Sequence, residues 1–496
     1  MDAAHLLEYA DLAWGLPGYL RNPATLAQAE QGVRRRLASR EENFLALMAG
    51  GVYERESSPY RRLLETAGYS REKLSHRVRS RGLDATLQDL RDDGVWLNAA
   101  EAKLTDSALD NPLRGAGVGG RSSGTNSSGG RVAYDWRFLA EEAENETLLY
   151  AAHGLSGAPT ALWYPVHISI AGIHNLLLDL KRGQAPERWF SQSSERGWRD
   201  TAMRAWIAAV GRTRGLRVPA PRDVPVSEAA TVARWMHQAT GRAGRAMLRT
   251  FASSAVRAVQ AGQAEGLNLR GCAVFAGGEP LGESAAELLR EAGVRPIPRY
   301  ISTETGLVGA ACPHSRRFDE MHVYQDRLAV IPAPDGESLL TTTLLPSTGK
   351  ILLNASLGDQ GTLERQPCAC IFGRLGMDLF VRGVRSATRL TQQGMSVEIE
   401  ELVGVVQRLV VEAGGAETDF QIWEHTGGRI TVAVSPELHR LDIDAFSPRV
   451  LETLHRSSPA GAVAAGVWRG ADALRVIRAQ PRMTRGHKLK KHIAAE

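Results

Sequence analysis

From about residue 160 to 310 the chain alternates short apolar runs with amphipathic stretches, and this rhythm limits most strongly what it can fold into. Ala273-Val274-Phe275-Ala276 reads as a strand, Gly277-Gly278-Glu279-Pro280 as a turn, 283–292 as a helix, and the next strand lies near 295–300. Strands that alternate with helices imply a mostly parallel sheet with helices on its faces. From 320 to 372 the rhythm changes to strand after strand, over 321–325, 328–331, 338–343 and 350–354. Turns at Pro332-Ala333-Pro334-Asp335-Gly336 and Ser347-Thr348-Gly349 separate these runs, which is an antiparallel pattern. After Gly373 the pattern is mixed, with helices over 398–413 and 444–454 and strands over 419–424 and 429–434. The first 110 residues read as helical, with helices within 26–47 and from Pro59, and Asn111-Pro112 ends that region.

A chain of 496 residues is too long for one compact core. The expected fold class is α/β: a large N-terminal domain with mixed parallel sheets and a β subdomain, followed by a small α+β C-terminal domain. The expected divisions are 1–110, a helical N-terminal segment of the large domain; 111–372, its core; and 373–496, a small mobile domain. The net charge of +5 suits anionic small molecules. Lys488-Leu489-Lys490-Lys491 is the densest lysine run, and no Lys/Arg tract is interleaved with aromatics, so no nucleic-acid partner is expected. The start, Met1-Asp2-Ala3-Ala4-His5-Leu6-Leu7-Glu8, lacks the apolar run of a signal peptide, and no stretch reaches the ~18–20 apolar residues that span a bilayer. A cytoplasmic protein with no membrane partner is expected. Four cysteines in such a chain read as metal ligands, nucleophiles or core residues before disulfides.

Three segments carry chemistry. Residues 113–131 form a Gly/Ser/Thr loop in which backbone N–H and hydroxyl groups can approach phosphate oxygens, although no Gly-Lys-Ser/Thr follows as in a Walker A loop. Tyr300-Ile301-Ser302-Thr303-Glu304-Thr305-Gly306 places a carboxylate at a strand end beside hydroxyls, which suits a Mg²⁺ bridging nucleotide phosphates. Leu357-Gly358-Asp359 and Gly373-Arg374 supply an acceptor and a donor for ribose hydroxyls. Each alone also fits a plain surface loop or turn; their order and spacing together are far more specific.

In that order they resemble the adenylate-forming superfamily of acyl- and aryl-CoA ligases and adenylation domains, over about residues 55–495. Ser122-Ser123-Gly124-Thr125-Asn126 looks like its phosphate loop. Tyr300 to Gly306 looks like its adenine and Mg²⁺ motif, with Ser302 beside Thr303 on phosphate and Glu304 on metal. Asp359 and Arg374 look like its ribose pair, Gly373 to Gly383 like the hinge, and Pro481 to Lys488 like the C-terminal motif with the catalytic lysine. Gly277-Gly278-Glu279-Pro280-Leu281, Met321-His322-Val323-Tyr324-Gln325-Asp326, Cys368-Ala369-Cys370 and Pro59-Tyr60-Arg61-Arg62 are similar to the phenylacetate-CoA ligase and coenzyme F390 synthetase branch. The chain departs from the pattern at Arg131, where a lysine is common, and at Asn126-Ser127-Ser128. It also departs at Gly376 and Met377, which stand at the two acidic hinge positions, at Ala355-Ser356-Leu357-Gly358, and at His487 between Gly486 and Lys488. Lys488 shifted by one residue, or His487 in its place, is the candidate for the catalytic position. Lys488 is favoured because Leu489-Lys490-Lys491 then matches the basic tail.

Cys312, Cys368 and Cys370 with one histidine make a donor set for tetrahedral zinc. The resemblance implies a structural site with His322 as the fourth ligand; His314, two residues from Cys312, is the other candidate. Leu162-Trp163-Tyr164-Pro165-Val166-His167-Ile168 resembles the superfamily's substrate-side motif, which puts His167 toward the carboxylate and lines the pocket with Trp163, Tyr164, Phe275, Gly277 and Tyr300. Plain core is the alternative for Trp163 and Tyr164. The reaction implied is attack of a small carboxylic acid, aryl or short acyl, on ATP with Mg²⁺, releasing pyrophosphate, then transfer to CoA. An amine, or a carrier-protein or protein thiol, is the alternative acceptor. A non-catalytic nucleotide- or acyl-binding homologue is the alternative function.

Overall fold

The computed structural model describes residues 11–495 apart from 12, 105, 122–130, 166–170, 193–197, 387–388, 394, 426–428, 440 and 483–490. Its centre is a twelve-stranded sheet. The half built from Arg222–Asp223, Arg188–Ser191, Thr160–Tyr164, Ala246–Phe251, Cys272–Gly277 and Arg295–Ser302 is parallel throughout. The other half continues antiparallel through Gly306–Ala310, Met321–Val323, Leu379–Ser386, Ala355–Arg365, Ser338–Thr343 and Leu328–Pro332.

Side-chain alternation explains why the parallel strands read as unbroken apolar runs. Successive residues of a strand point to opposite faces, and here both faces are covered. Cys272, Val274 and Ala276 join the cluster formed with helices Ala229–Ala243, Ala252–Ala264 and Glu283–Glu291. Ala273 and Phe275 point the other way and pack with Leu148, Leu149 and Tyr150 of helix Trp136–Ala152. The same split sends Trp163 to one face and Leu162 and Tyr164 to the other, against helix Ala171–Lys181.

The expected strands at 338–343 and 429–434 form with those bounds. The expected strand at 350–354 does not. There the chain is held by other elements: the Ile351 N–H donates to the Leu109 carbonyl at 2.7 Å, Lys350 Nζ reaches Asp110 at 3.0 Å, and Asn354 takes a left-handed φ of 47°. The strand begins one residue later and runs over Ala355–Arg365.

Residues just after the expected domain start at 373 still belong to the large sheet and its core. Strand Leu379–Ser386 lies inside the large sheet, and Met377 is fully buried in its core. The chain leaves that sheet only after Ser386, through the ribbon Arg389–Gln392 and Met395–Glu398. A four-stranded sheet follows, in the order Leu474–Arg478, Arg429–Val434, Phe420–His425, His492–Ala495, with helices Ile399–Glu412, Ile443–Ser457 and Pro459–Gly470. Its buried cluster is continuous with that of helices Ala252–Ala264 and Glu283–Glu291. Arg257 of the large part donates through Nε to Gln393 Oε1 at 3.1 Å and through NH2 to the Ala471 carbonyl.

Candidate active site

A cleft of ≈ 320 Å³ opens where the parallel half of the sheet meets the antiparallel half. Gly278, Glu279 and Pro280, following strand Cys272–Gly277, form one side, and Arg299, Tyr300 and Ile301 of the next strand form another. Asp359, Gly383, Val384, Arg385 and Ser386 complete the opposite rim. Gly278 has φ +75°, and a Cβ there would meet the Phe251 ring at 3.0 Å, so this turn is built for glycine. Glu279 is held from below: the N–H and hydroxyl of Ser253 donate to its carboxylate at 2.9 and 3.0 Å.

The Tyr300 phenol donates to Asp359 Oδ2 at 2.7 Å. Burial, then the Asp359 carboxylate, and last the charge of Glu304, push that phenol well above its ordinary pKa, so it stays a hydrogen-bond donor. Ser302 Oγ and Thr305 Oγ1 lie 2.8 Å apart, and the Thr305 N–H donates to Ser302 Oγ at 3.1 Å, which closes the turn carrying half-buried Thr303 and Glu304. The Tyr134 hydroxyl donates to the Thr303 carbonyl at 2.9 Å. Tyr134 lies in the hairpin Gly117–Arg121 and Arg131–Asp135, so the hairpin whose tip carries the expected phosphate loop is tied to this turn. The residues expected to bind phosphate, Ser122, Ser123, Gly124, Thr125 and Asn126, and the expected catalytic residues His167 and Lys488, lie outside the described residues. The chain on either side of 483–490 is anchored to the small sheet. Arg482 sits over the Trp423 ring at 4.3 Å, and His492–Ala495 pairs with Phe420–His425.

Thus Gly278, Glu279, Pro280, Tyr300 and Asp359 come together in one cleft, with Ser302, Thr303 and Glu304 on the adjoining turn. Arg374 does not join them. It ends the short helix Ile371–Arg374, is exposed, and donates to the Ala369 carbonyl at 2.8 Å. Arg385 also lines the cleft; across the adjacent strands Asp359 pairs with Ser386 and Arg385 with Gln360, to whose Oε1 the Arg385 Nε donates at 3.2 Å. Sequence reasoning missed Arg385, and the signal was present as a glycine and arginine close together for a second time, Gly383-Val384-Arg385, within strand Leu379–Ser386.

Of the expected pocket walls, Tyr300 lines this cleft and Trp163, Tyr164, Phe275 and Gly277 do not. Trp163 and Phe275 are fully buried and Tyr164 nearly so. Trp163 Nε1 donates to the Val224 carbonyl at 2.8 Å, Phe275 meets Tyr150 edge-on at 4.9 Å, and Tyr164 meets Phe251 edge-on at 5.0 Å. They pack helices to the sheet and do not line the cleft, because central strands of a parallel sheet are covered on both faces. Gly277 is buried at the strand end, where a Cβ would lie 3.1 Å from Ile301 Cδ1.

A second constellation lies at the other end of the antiparallel strands. The donor atoms of Cys312, His322, Cys368 and Cys370 all lie within 4.8 Å of one another. Cys370 Sγ is 3.1 Å from His322 Nε2, and Cys312 Sγ is 3.7 Å from Cys368 Sγ. The contact with the Cys370 thiol, followed by His322, pulls the Cys312 thiol far below its usual range against the effect of burial. The His322 ring is fully buried and packs 3.9 Å from the Phe380 ring centroid, whereas His314 is exposed and outside the group. Cys272 is a buried core residue whose sulfur lies 2.8 Å from Thr240 Oγ1.

A further cavity, of ≈ 570 Å³, separates helices Ala252–Ala264 and Glu283–Glu291 from the small sheet. Arg257, His425, Arg429 and Arg475 line it with Trp423, against one acid, Asp472. Burial, and next the Arg429 charge, lower the pKa of Arg257, a sign of crowded positive charge.

Among the described residues, no helix is long and apolar enough to cross a membrane. No family model matches the chain, and no curated protein matches it. Among solved structures, 2-hydroxyisobutyryl-CoA ligase in complex with 2-HIB-AMP and CoA, in its thioesterification state, is 15% identical. That match covers 94% of this chain and 90% of that one with a TM-score of 0.54. The amide bond synthetase McbA from Marinactinospora thermotolerans is 13% identical over 75% of this chain and 67% of that one, with a TM-score of 0.41. Near-complete coverage by the CoA ligase, together with the parallel-to-antiparallel sheet and the small α+β sheet after it, shows that the chain has the fold of the adenylate-forming ligases.

Proposed function

We propose that the protein activates a small carboxylic acid with MgATP as an acyl-adenylate and passes the acyl group to CoA. The observation that carries this reading is the Tyr300–Asp359 pair at the cleft, with Gly278-Glu279-Pro280 on one wall and Arg385 on the rim. In it, Asp359 and Arg385 hold the ribose, Tyr300 and the 278–280 turn flank the adenine, and Ser122 to Asn126 with Thr303 bind phosphate. The acid's carboxylate oxygen attacks the α-phosphorus, the bond to the pyrophosphate oxygen breaks, and His167 and Lys488 face the reacting carboxylate. Catalysis on this reading is positioning and charge neutralisation. Glu304 fits a Mg²⁺: it is a half-buried carboxylate whose charge is felt by Tyr300 and Tyr134. The ion would neutralise the phosphates.

The thiol of CoA would then attack the acyl carbon, and AMP would leave. The basic interdomain cavity supports CoA over an amine, because three guanidiniums and an indole suit a phosphorylated nucleotide. The donor chemistry of Cys312, His322, Cys368 and Cys370 fits a structural zinc, which would tie the Cys312 loop to the 368–370 loop and leave no open position. That set supports the phenylacetate-CoA ligase-like branch. Incubation with MgATP, CoA and a panel of aryl and short acyl acids tests the reading. Equal amounts of AMP, pyrophosphate and acyl-CoA are expected from at least one acid; ADP and phosphate as the products would contradict it.

A further inference from the structure

Beneath the turn that carries Thr303 and Glu304 lies a fully buried carboxylate that the proposed reaction does not use. Glu142, on helix Trp136–Ala152, accepts the Leu307 N–H through Oε1. The same oxygen faces Arg327 NH1 at 3.3 Å, and Oε2 meets His174 Nε2 at 2.6 Å. Arg327 in turn lies over the Phe138 ring at 4.4 Å. The approach is close enough to dictate the sequence of the turn. Gly306 has φ +68°, and a Cβ there would sit 2.6 Å from Glu142 Oε1 and 3.0 Å from Phe138 Cζ. Burial alone would raise the Glu142 pKa, but the His174 and Arg327 charges and the bonds from His174 and Leu307 outweigh it and hold it at about 2.

The other end of the turn is tied by Tyr134, whose hydroxyl donates to the Thr303 carbonyl and whose ring lies 5.1 Å from His174. The two ties come from the hairpin strand Arg131–Asp135 and from the helix Trp136–Ala152 that directly follows it, so one buried unit fixes the turn's entry and exit. We propose that Glu142, braced by His174 and Arg327, is a positioning residue that, with Tyr134, sets the Thr303–Glu304 turn against the bound nucleotide. The inference rests on the adenylation reading, since it is there that Thr303 and Glu304 meet phosphate and metal. A misplacement of about 1 Å in such groups costs on the order of 100-fold in rate.

Four measurements on Glu142→Ala, Glu142→Gln and Tyr134→Phe test it: thermal midpoint, amide hydrogen exchange, and the kcat and MgATP KM of acid-dependent pyrophosphate exchange. In E142A, kcat should fall roughly tenfold or more at saturating MgATP, with faster amide exchange concentrated in 303–307. E142Q, whose amide oxygen still accepts from Leu307, should recover most of both. If E142A does not fold, Y134F provides the reading: kcat several-fold lower, on the order of threefold to tenfold, with the thermal midpoint nearly unchanged. Wild-type kcat in E142A, equal loss in E142A and E142Q, or unaltered exchange at 303–307 would overturn the proposal. A wild-type protein that exchanges no pyrophosphate with any acid would instead contradict the adenylation reading, and the amide exchange would still decide whether Glu142 holds the turn.

Discussion

Tyr300 and Asp359 are joined at 2.7 Å although three strands of the ladder lie between theirs. The antiparallel half must therefore curl back on itself, and the cluster of Tyr300, Val308, Met321, Val323, Val330, Leu339 and Val381 fills the interior of that curl. The cleft is a product of sheet curvature, and the pair joins two sides of its lining.

Removing either partner should loosen nucleotide binding. Asp359→Asn and Tyr300→Phe are each expected to raise the Kd for ATP roughly tenfold, since a hydrogen bond to a charged group contributes about 1.5–3 kcal/mol. The double variant should lose less than the sum, because the two residues act through one contact. Isothermal titration with ATP checks both the singles and the coupling.

The two arginines separate cleanly. Arg385→Ala should weaken ATP binding on the order of tenfold, whereas Arg374→Ala should leave it within about twofold. The difference follows from placement: Arg385 lines the cleft, and Arg374 satisfies the Ala369 carbonyl outside it. Equal effects of the two substitutions in the same titration would count against this placement.

The thiol cluster predicts metal content. Protein purified without chelator should carry about one zinc per chain by elemental analysis, and Cys370→Ser or His322→Ala should remove it. Zinc loss should lower the thermal midpoint without a selective rise in the KM for ATP, since the cluster lies apart from the cleft lining.

Stability should fall with acid through one histidine. His153 is buried with its Nε2 at 2.9 Å from the Ala311 carbonyl, and desolvation, partly opposed by that bond, lowers its pKa from 6.5 to about 4. The unfolded chain thus binds the proton more readily, so this contribution is fully present above pH 6.5 and is lost as pH falls toward 4. The shift corresponds to about 3 kcal/mol. His153→Gln, which keeps a donor to the carbonyl, should flatten the denaturant midpoint between those two pH values.

Much of the architecture was legible in the chain because physics wrote it twice. Strand Cys272–Gly277 is apolar on both faces and followed by a glycine turn, and Ser338–Thr343 and Arg429–Val434 sit between clear turn signals. The motif order also led to Tyr300, Asp359 and the 278–280 turn, which share one cleft. Other features depended on tertiary placement. Trp163, Tyr164 and Phe275 have the composition of a pocket wall, yet a central parallel strand buries them on both faces. Gly373-Arg374 and Gly383-Val384-Arg385 are similar pieces of sequence, and only their tertiary placement, with the second in the cleft lining, distinguishes them. Nothing in the local spacing of Glu142 and Arg327 announces that they meet beneath Gly306.

The central claim is that this cleft makes an acyl-adenylate from ATP. Acid-dependent exchange of labelled pyrophosphate into ATP, without CoA or any other acceptor, tests it most directly. Exchange is expected with at least one aryl or short acyl acid, abolished in Lys488→Ala, retained in His487→Ala, and lowered roughly tenfold or more in Glu304→Gln. Absence of exchange across the whole panel, in a folded protein that binds ATP, would contradict it.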